Sequence, residues 1–173
     1  MRTQRTQRTR SNFFLKALLL GLATVGCSSG FVGEVACGRS PQASTSSNGS
    51  QLAQSIVDPY LKIQTALAQD RMDDVKANAG NIATAASSLG APAVKIDTAA
   101  VQLASATELA DARSKFGALS DAVVAYMDNQ HLKAPDGLRK AYCPMAQKPW
   151  LQRGDTLENP YYGQSMPTCG EFK

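Results

Sequence analysis

Between Gln51 and about Gln130, the apolar residues recur at the three- and four-residue spacing of α-helices, with breakers such as Gly90 and Pro92 between the repeats. Short connections between four amphipathic segments favour an antiparallel up-and-down bundle. We therefore expect an all-α four-helix bundle, with an irregular segment after residue 137 packed on it. The four stripes are Leu52, Ile56, Tyr60, Ile63 and Leu67; Met72, Val75, Ile82 and Leu89; Val94, Ile96, Val101 and Leu103; and Leu109, Phe116, Leu119, Val123 and Met127.

The composition supports the helical prediction. Aromatic residues make up only 6% of the chain and alanine is frequent in the middle of it, which favours closely packed helices over an aromatic-rich β-sandwich. Ser105 and Glu108 have the spacing of a capping box, which predicts that the fourth helix opens there.

The first 26 residues have the pattern of an export signal. Basic residues lie at positions 2, 5, 8, 10 and 16, and an apolar run too short to span a bilayer follows, up to Val25. Small residues then precede Cys27, as in bacterial lipoprotein signals. We expect residues 1–26 to be a lipoprotein-type signal peptide, with Cys27 lipidated. Cleavage without lipidation and a weak membrane anchor are the alternatives.

Residues 27–50 are rich in Ser, Gly and other small or polar residues, which predicts a flexible tether. The globular domain is expected at 51–173. Together, the signal and the tether predict a lipoprotein anchored to a membrane in the periplasm or elsewhere outside the cytoplasm.

The net charge of +4 comes from the predicted signal peptide. Residues 1–26 hold five of the 18 basic residues and none of the 14 acidic ones, so the remainder has 13 basic and 14 acidic residues. A nearly neutral domain gives no electrostatic reason to expect nucleic acid as a partner.

The candidate site is in residues 138–173, where Cys143-Pro144-Met145 and Met166-Pro167-Thr168-Cys169 pair the same two sulfur types in opposite order. Cys143 and Met145 would share a face in an extended segment, and Met166 and Cys169 would share one in a turn. The turn-forming run from Asn159 to Gly163 would let the two pairs meet. Thiolate and thioether ligands together favour Cu(I).

Alternatives stay open on these residues. In an exported protein, Cys143 and Cys169 are also candidates for a disulfide, and the two methionines for core packing. His131, the only histidine, is either an auxiliary ligand or an exposed residue at the end of the fourth helix. The chain lacks the sequence motifs of hydrolases, metalloproteases and nucleotide-binding enzymes, so we do not expect an enzyme.

The C-terminal string resembles a bacterial exported domain family of unassigned function. The resemblance rests on Tyr142-Cys143-Pro144-Met145-Ala146, Trp150-Leu151-Gln152, Asn159-Pro160-Tyr161-Tyr162-Gly163 and Met166-x-x-Cys169-Gly170-Glu171. That family occurs as free proteins or attached to the adaptor proteins of copper and silver efflux pumps. The resemblance implies a helical bundle with a metal-associated C-terminal motif.

Two functional hypotheses follow. The first is a membrane-tethered protein that binds Cu(I), for buffering or for delivery to a heavy-metal efflux adaptor or another envelope protein. The second is a protein-interaction module of the cell envelope, stapled by a Cys143–Cys169 disulfide and without metal.

Overall fold

The computed structural model describes residues 51–173. Four helices are present there, as the apolar spacing predicts, and three strands follow them. The prediction of an all-α fold is therefore wrong: the domain combines helices with an antiparallel sheet. The elements are α1 (Gln54–Ala68), α2 (Val75–Leu89), α3 (Val94–Ala104), α4 (Leu109–Asn129), β1 (Leu138–Cys143), β2 (Lys148–Arg153) and β3 (Glu171–Phe172).

Each helix packs against the next one along the chain. Fully buried alanines, among them Ala79, Ala86 and Ala100, line these contacts and leave room for close approach of the helices. Two residues of the predicted third stripe are misassigned, since Val94 and Val101 are 56% and 57% exposed. The buried face of α3 is instead formed by Ile96, Ala99, Ala100 and Leu103.

The predicted capping box does not form. Ser105 follows the last residue of α3, and its hydroxyl donates to the carbonyl oxygen of Gln102 at 2.7 Å. The fourth helix begins at Leu109, after Glu108, and no side chain caps it. Ser105 therefore closes one helix rather than opening the next, because its hydroxyl and its backbone N–H both donate to the Gln102 carbonyl oxygen in the last turn.

The sheet has the strand order β2-β1-β3, with both neighbours antiparallel to β1. Adjacent cations in β1, Arg139 and Lys140, hide the two-residue alternation that would have predicted a strand. The Arg139 guanidinium lies 3.6 Å from the ring centre of Phe172 on β3, which explains how a strand carries a half-buried cation. The sheet packs on α1 and α4.

The outer edge of β2 is closed by two tyrosines. The Leu151 amide donates to the Tyr60 hydroxyl at 3.2 Å, and the Tyr161 hydroxyl donates to the Pro149 carbonyl oxygen. Pro149 has no N–H to satisfy, which is why proline is tolerated at a strand edge. Tyr60 also shares a hydrogen bond of 2.6 Å with the hydroxyl of Ser120 on α4, so α1, α4 and β2 meet at one buried hydroxyl.

The predicted signal peptide (1–26), lipidation at Cys27 and tether (27–50) lie outside the described residues. Within 51–173, no helix is long and apolar enough to cross a membrane.

Candidate metal centre

The sheet brings Cys143 and Cys169 together. Cys143 is the last residue of β1 and is fully buried, and Cys169 is half-buried just before β3. Because Tyr142 pairs with Glu171, the antiparallel register carries the chain before β3 past the end of β1. The two sulfur atoms are 4.0 Å apart, and both cysteines are free thiols.

Two N–H groups donate to the buried sulfur. The Ala146 amide, in the turn between β1 and β2, is 3.4 Å from Cys143 Sγ, and Asn159 Nδ2 is 3.3 Å from it. Donors aimed at a ligand atom fix its orientation and stabilise negative charge on it. The site therefore already has the polar surroundings that a metal-bound thiolate needs.

Asn159 joins the two cysteines. Besides its bond to Cys143, its amide nitrogen donates to the carbonyl oxygen of Cys169 at 2.6 Å. Its Oδ1 accepts from the amides of Tyr161 and Tyr162 at 2.7 and 3.3 Å. Both ends of this fully buried side chain are thus hydrogen-bonded, which fixes the turn after Asn159 and the segment that carries Cys169 in one arrangement.

Close backbone packing holds Cys169 in place from the other side. Gly170 has a φ of +149°, and a Cβ there would lie 2.6 Å from Trp150 Cη2 and 3.0 Å from the carbonyl oxygen of Tyr142. The Trp150 indole nitrogen donates to Gln152 at 2.9 Å, which orients the ring. The indole therefore packs directly on the backbone beside Cys169.

An ion pair anchors the preceding segment. Arg113 on α4 contacts Asp70, and its Nε donates to the Pro160 carbonyl oxygen at 3.1 Å. The pair sits over Gly163, where a Cβ would overlap an Asp70 oxygen and Arg113 Nη2. Glycine is therefore required at this position, where the backbone has a φ of +53°.

The thiol of Cys169 has a raised pKa, caused first by burial and then by the neighbouring Cys143. A thiol must lose its proton to bind a metal ion. Metal binding at this pair would thus release protons and weaken as the pH falls.

The methionines and the histidine are placed differently from the cysteines. Met145 lies in the turn after β1 and is 59% exposed, so it does not share the buried face of Cys143 as an extended segment would require. The Cys169 amide donates to the Met166 carbonyl oxygen at 3.2 Å, so residues 166–169 form a turn, and Met166 is half-buried. His131 is exposed after α4, with a φ of +51°.

The described residues contain no group of three or more His, Cys, Asp and Glu side chains that could hold a metal ion, so His131 does not join the cysteine pair. Among these four residue types, the two cysteines are therefore the ligands that the described residues bring together. With metal–sulfur bonds of about 2.3 Å, two thiolates on one ion lie about 3.8 Å apart at a tetrahedral angle and about 4.6 Å apart when linear. The observed 4.0 Å falls in this interval. A disulfide, at about 2.05 Å, would need the sulfurs to approach by about 2 Å.

The sequence singled out the cysteines but missed the residues that arrange them. The sequence identifies Asn159 only as a turn former, and its Oδ1 accepts a backbone N–H two residues on, as asparagines in turns do. Its bonds to Cys143 and Cys169 span 16 and 10 positions and leave no local signal. The contact between Asp70 and Arg113 likewise spans 43 positions.

No protein-family model matches the chain, and neither a curated protein nor a solved structure matches it. The fold and the site define a four-helix domain with a small antiparallel sheet and an adjacent pair of free cysteines, one buried and one half-buried.

Proposed function

We propose that this protein binds Cu(I) through Cys143 and Cys169. The observation that carries the proposal is the 4.0 Å separation of two free thiol sulfurs, one of them accepting two N–H hydrogen bonds. Cu(I) is a soft ion that accepts two or three sulfur ligands, so two thiolates suffice without a larger cluster. Zinc is less favoured, because a structural zinc site usually takes four ligands.

Met145 and Met166 are the proposed additional thioether ligands, because each is a near neighbour in the chain of one of the two cysteines. Met145 is exposed in the turn beside Cys143, and Met166 is in the turn that ends at Cys169. An exposed thioether next to a buried thiolate suits an ion that has to enter and leave. We therefore propose buffering or delivery of Cu(I) rather than permanent storage.

The cellular setting of the proposal rests on the sequence. The signal pattern of residues 1–26 and the lipidation motif at Cys27 favour an exported protein tethered to a membrane. The resemblance of residues 142–171 to domains attached to copper and silver efflux adaptors favours such an adaptor, or another envelope protein, as the recipient.

The direct test is Cu(I) retention. The full chain is purified reduced and without oxygen, loaded with one equivalent of Cu(I), and titrated with a chromophoric Cu(I) chelator. We expect one ion per chain, with retention abolished in Cys143→Ser and in Cys169→Ser. Cys37→Ser is the matched control, because it removes a thiol outside the described domain, and it should retain the ion. Failure of the wild-type protein to hold Cu(I) against the chelator contradicts the proposal.

A second candidate function rests on the same short distance between the two sulfurs. In it, a Cys143–Cys169 disulfide fixes the C-terminal segment of a protein-interaction module. The two functions differ in the state of the thiols in cells. Alkylation of the protein at the moment of lysis, followed by peptide mass spectrometry, should find both thiols free or metal-protected under the copper proposal. A fully oxidised pair at all copper levels supports the staple.

A further inference from the structure

We propose that Asn159 is the positioning residue that makes the Cys143–Cys169 pair favour metal binding over disulfide formation. The inference rests on the proposed Cu(I) function. It concerns a side chain that contributes no ligand atom and acts only through the two cysteines.

Every donor and acceptor of the Asn159 side chain has a hydrogen-bond partner. Its amide nitrogen has two hydrogens, one directed at Cys143 Sγ and one at the Cys169 carbonyl oxygen. Its oxygen has two lone pairs and accepts from Tyr161 and Tyr162. The side chain is fully buried, so solvent cannot replace a partner that is lost.

The bond to Cys143 discriminates between the two fates of the sulfur. A thiolate bound to a metal carries negative charge and is a strong acceptor for the Asn159 N–H. A disulfide sulfur carries no such charge and accepts weakly. Oxidation would therefore leave a buried donor poorly satisfied, and leaving a buried donor unpaired is unfavourable.

The bond to Cys169 sets the spacing. The same nitrogen that bonds Cys143 Sγ holds the backbone of Cys169, so one planar group fixes the relative position of the two cysteines. In that arrangement the sulfurs are 4.0 Å apart, a separation that one bridging ion can span without movement, whereas a disulfide requires the sulfurs to approach to about 2.05 Å.

The first test is the affinity of the full chain for Cu(I), measured by competition with the same chromophoric chelator. Asn159→Leu keeps the approximate shape of the side chain and removes both donors, and Asn159→Asp removes the donors but keeps the acceptor for Tyr161 and Tyr162. We expect either variant to weaken Cu(I) binding by about 10- to 100-fold, the range typical of residues that support metal ligands.

The second test is the thiol–disulfide equilibrium without metal. The full chain is equilibrated with reduced and oxidised glutathione, and the state of Cys143 and Cys169 is read by alkylation and peptide mass spectrometry. Each oxidation removes one proton and one electron from each thiol, forms the S–S bond, and converts one oxidised glutathione into two reduced ones. Without metal there is no bound thiolate for the Asn159 N–H to favour, so the expected change comes from losing the spacing that Asn159 sets. Both variants should favour the disulfide by about tenfold, which is a reduction potential about 30 mV more negative.

The matched control is another buried asparagine. Asn78 on α2 is 6% exposed, and its amide donates to the Asp74 carbonyl oxygen at 2.9 Å. Asn78→Leu and Asn78→Asp remove a comparable hydrogen bond far from the cysteines in sequence. These variants should lower the melting temperature and leave both the Cu(I) affinity and the glutathione equilibrium within about twofold of wild type.

If an Asn159 variant binds Cu(I) more weakly but forms the Cys143–Cys169 disulfide more readily, Asn159 is a positioning residue. A purely structural role would loosen the site and weaken Cu(I) binding and disulfide formation together, and that result overturns the inference, as does an unchanged affinity in a folded Asn159 variant. If Asn159→Leu does not fold, the Cu(I) affinity and the glutathione equilibrium of Asn159→Asp provide the test. If the wild-type protein holds no Cu(I), the proposed function fails, and an unchanged glutathione equilibrium in the variants would separately overturn the role of Asn159.

Discussion

Gly170 is the residue at which the chain before β3 crosses the indole of Trp150. Gly170→Ala would place a methyl group 2.6 Å from Trp150 Cη2 at a φ that side chains rarely adopt. We expect a loss of about 2 kcal/mol or more in the free energy of unfolding, because neither the indole nor the backbone of Tyr142 can move away freely. Trp150 is the only tryptophan, so denaturant unfolding followed by its fluorescence measures the change directly.

Gly80→Ala is the matched control. Gly80 lies within α2, and nothing comes within 4 Å of a Cβ built on it. Alanine there should stabilise the protein by about 0.5–1 kcal/mol, because glycine loses more backbone freedom in a helix. Equal effects of the two substitutions would show that the contact with Trp150 is not tight.

Tyr60 is the buried hydroxyl that links α1 to Ser120 and to the Leu151 amide. Tyr60→Phe keeps the ring, which packs at 5.0 Å from Phe116, but leaves the Leu151 N–H without its partner. We expect a loss of about 1–3 kcal/mol in unfolding free energy. Tyr126→Phe on α4 is the comparison: its hydroxyl has no hydrogen-bond partner within residues 51–173, and the change should be within about 0.5 kcal/mol.

Burial raises the pKa of Tyr60 and of Tyr161 well above the usual tyrosine range. Their neutral forms are favoured in the folded protein, so the stability they contribute is complete below pH about 10 and falls as the pH rises above the unfolded pKa. We expect the free energy of unfolding to decline above pH about 10, with a smaller decline in Tyr60→Phe. Tyrosinate absorbance at 295 nm should report these two residues only as the protein unfolds.

At the scale of elements, Arg113 joins three parts of the fold. From α4 it contacts Asp70 after the end of α1, the Leu67 carbonyl oxygen at 3.1 Å, and the Pro160 carbonyl oxygen. Lysine cannot reproduce this fork of donors. We expect Arg113→Lys to reduce the free energy of unfolding by about 2 kcal/mol.

Arg71→Lys provides the control for this prediction. The Arg71–Asp73 pair is 2.9 Å long, but both side chains are at least half exposed. Exposed pairs contribute little, so the change should be within about 0.5 kcal/mol. Similar losses for Arg71 and Arg113, measured by urea unfolding, would contradict the assignment of Arg113 as the residue that joins α1, α4 and the segment from Pro160.

The helices could be predicted from the sequence and the sheet could not, for a physical reason. A helix of 15 residues such as α1 repeats its apolar spacing several times, so the pattern survives one irregular residue such as Pro59. Strands of six residues give at most three alternations, and Arg139 and Lys140 interrupt those of β1. The cation–π contact that accommodates Arg139 depends on Phe172, more than 30 residues away, and no local pattern encodes it.

The same distinction applies to the site. Residue chemistry identified Cys143 and Cys169, and the structure brings them together. The shared face expected for Cys143 and Met145 required an extended segment, whereas β1 ends at Cys143 and residues 144–147 form a turn. A turn and a strand place neighbouring side chains differently. Pro144 is compatible with both, so the sequence did not show that the strand ends at Cys143.

At the scale of the whole molecule, Cys143 lies at the end of β1 and Cys169 lies in the C-terminal segment. The sheet that contains β1 packs on α1 and α4. An ion held by both cysteines would therefore stabilise the folded domain as a unit. With free Cu(I) buffered at 100 times its dissociation constant, we expect about 2.7 kcal/mol of added stability and a matching rise in melting temperature. Calorimetry of Cys169→Ser with the same ion should show no rise. A rise in that variant would place the ion elsewhere.

The closed edge of β2 bears on how other proteins can recognise this domain. Partners that extend a sheet need free backbone N–H and C=O groups along an edge strand, so that an extra strand can be added. Tyr60 and Tyr161 already occupy the Leu151 amide and the Pro149 carbonyl, and Pro149 offers no N–H. Two of the outward-facing backbone groups of β2 are therefore already bonded and a third is missing, which disfavours the addition of a strand at this edge.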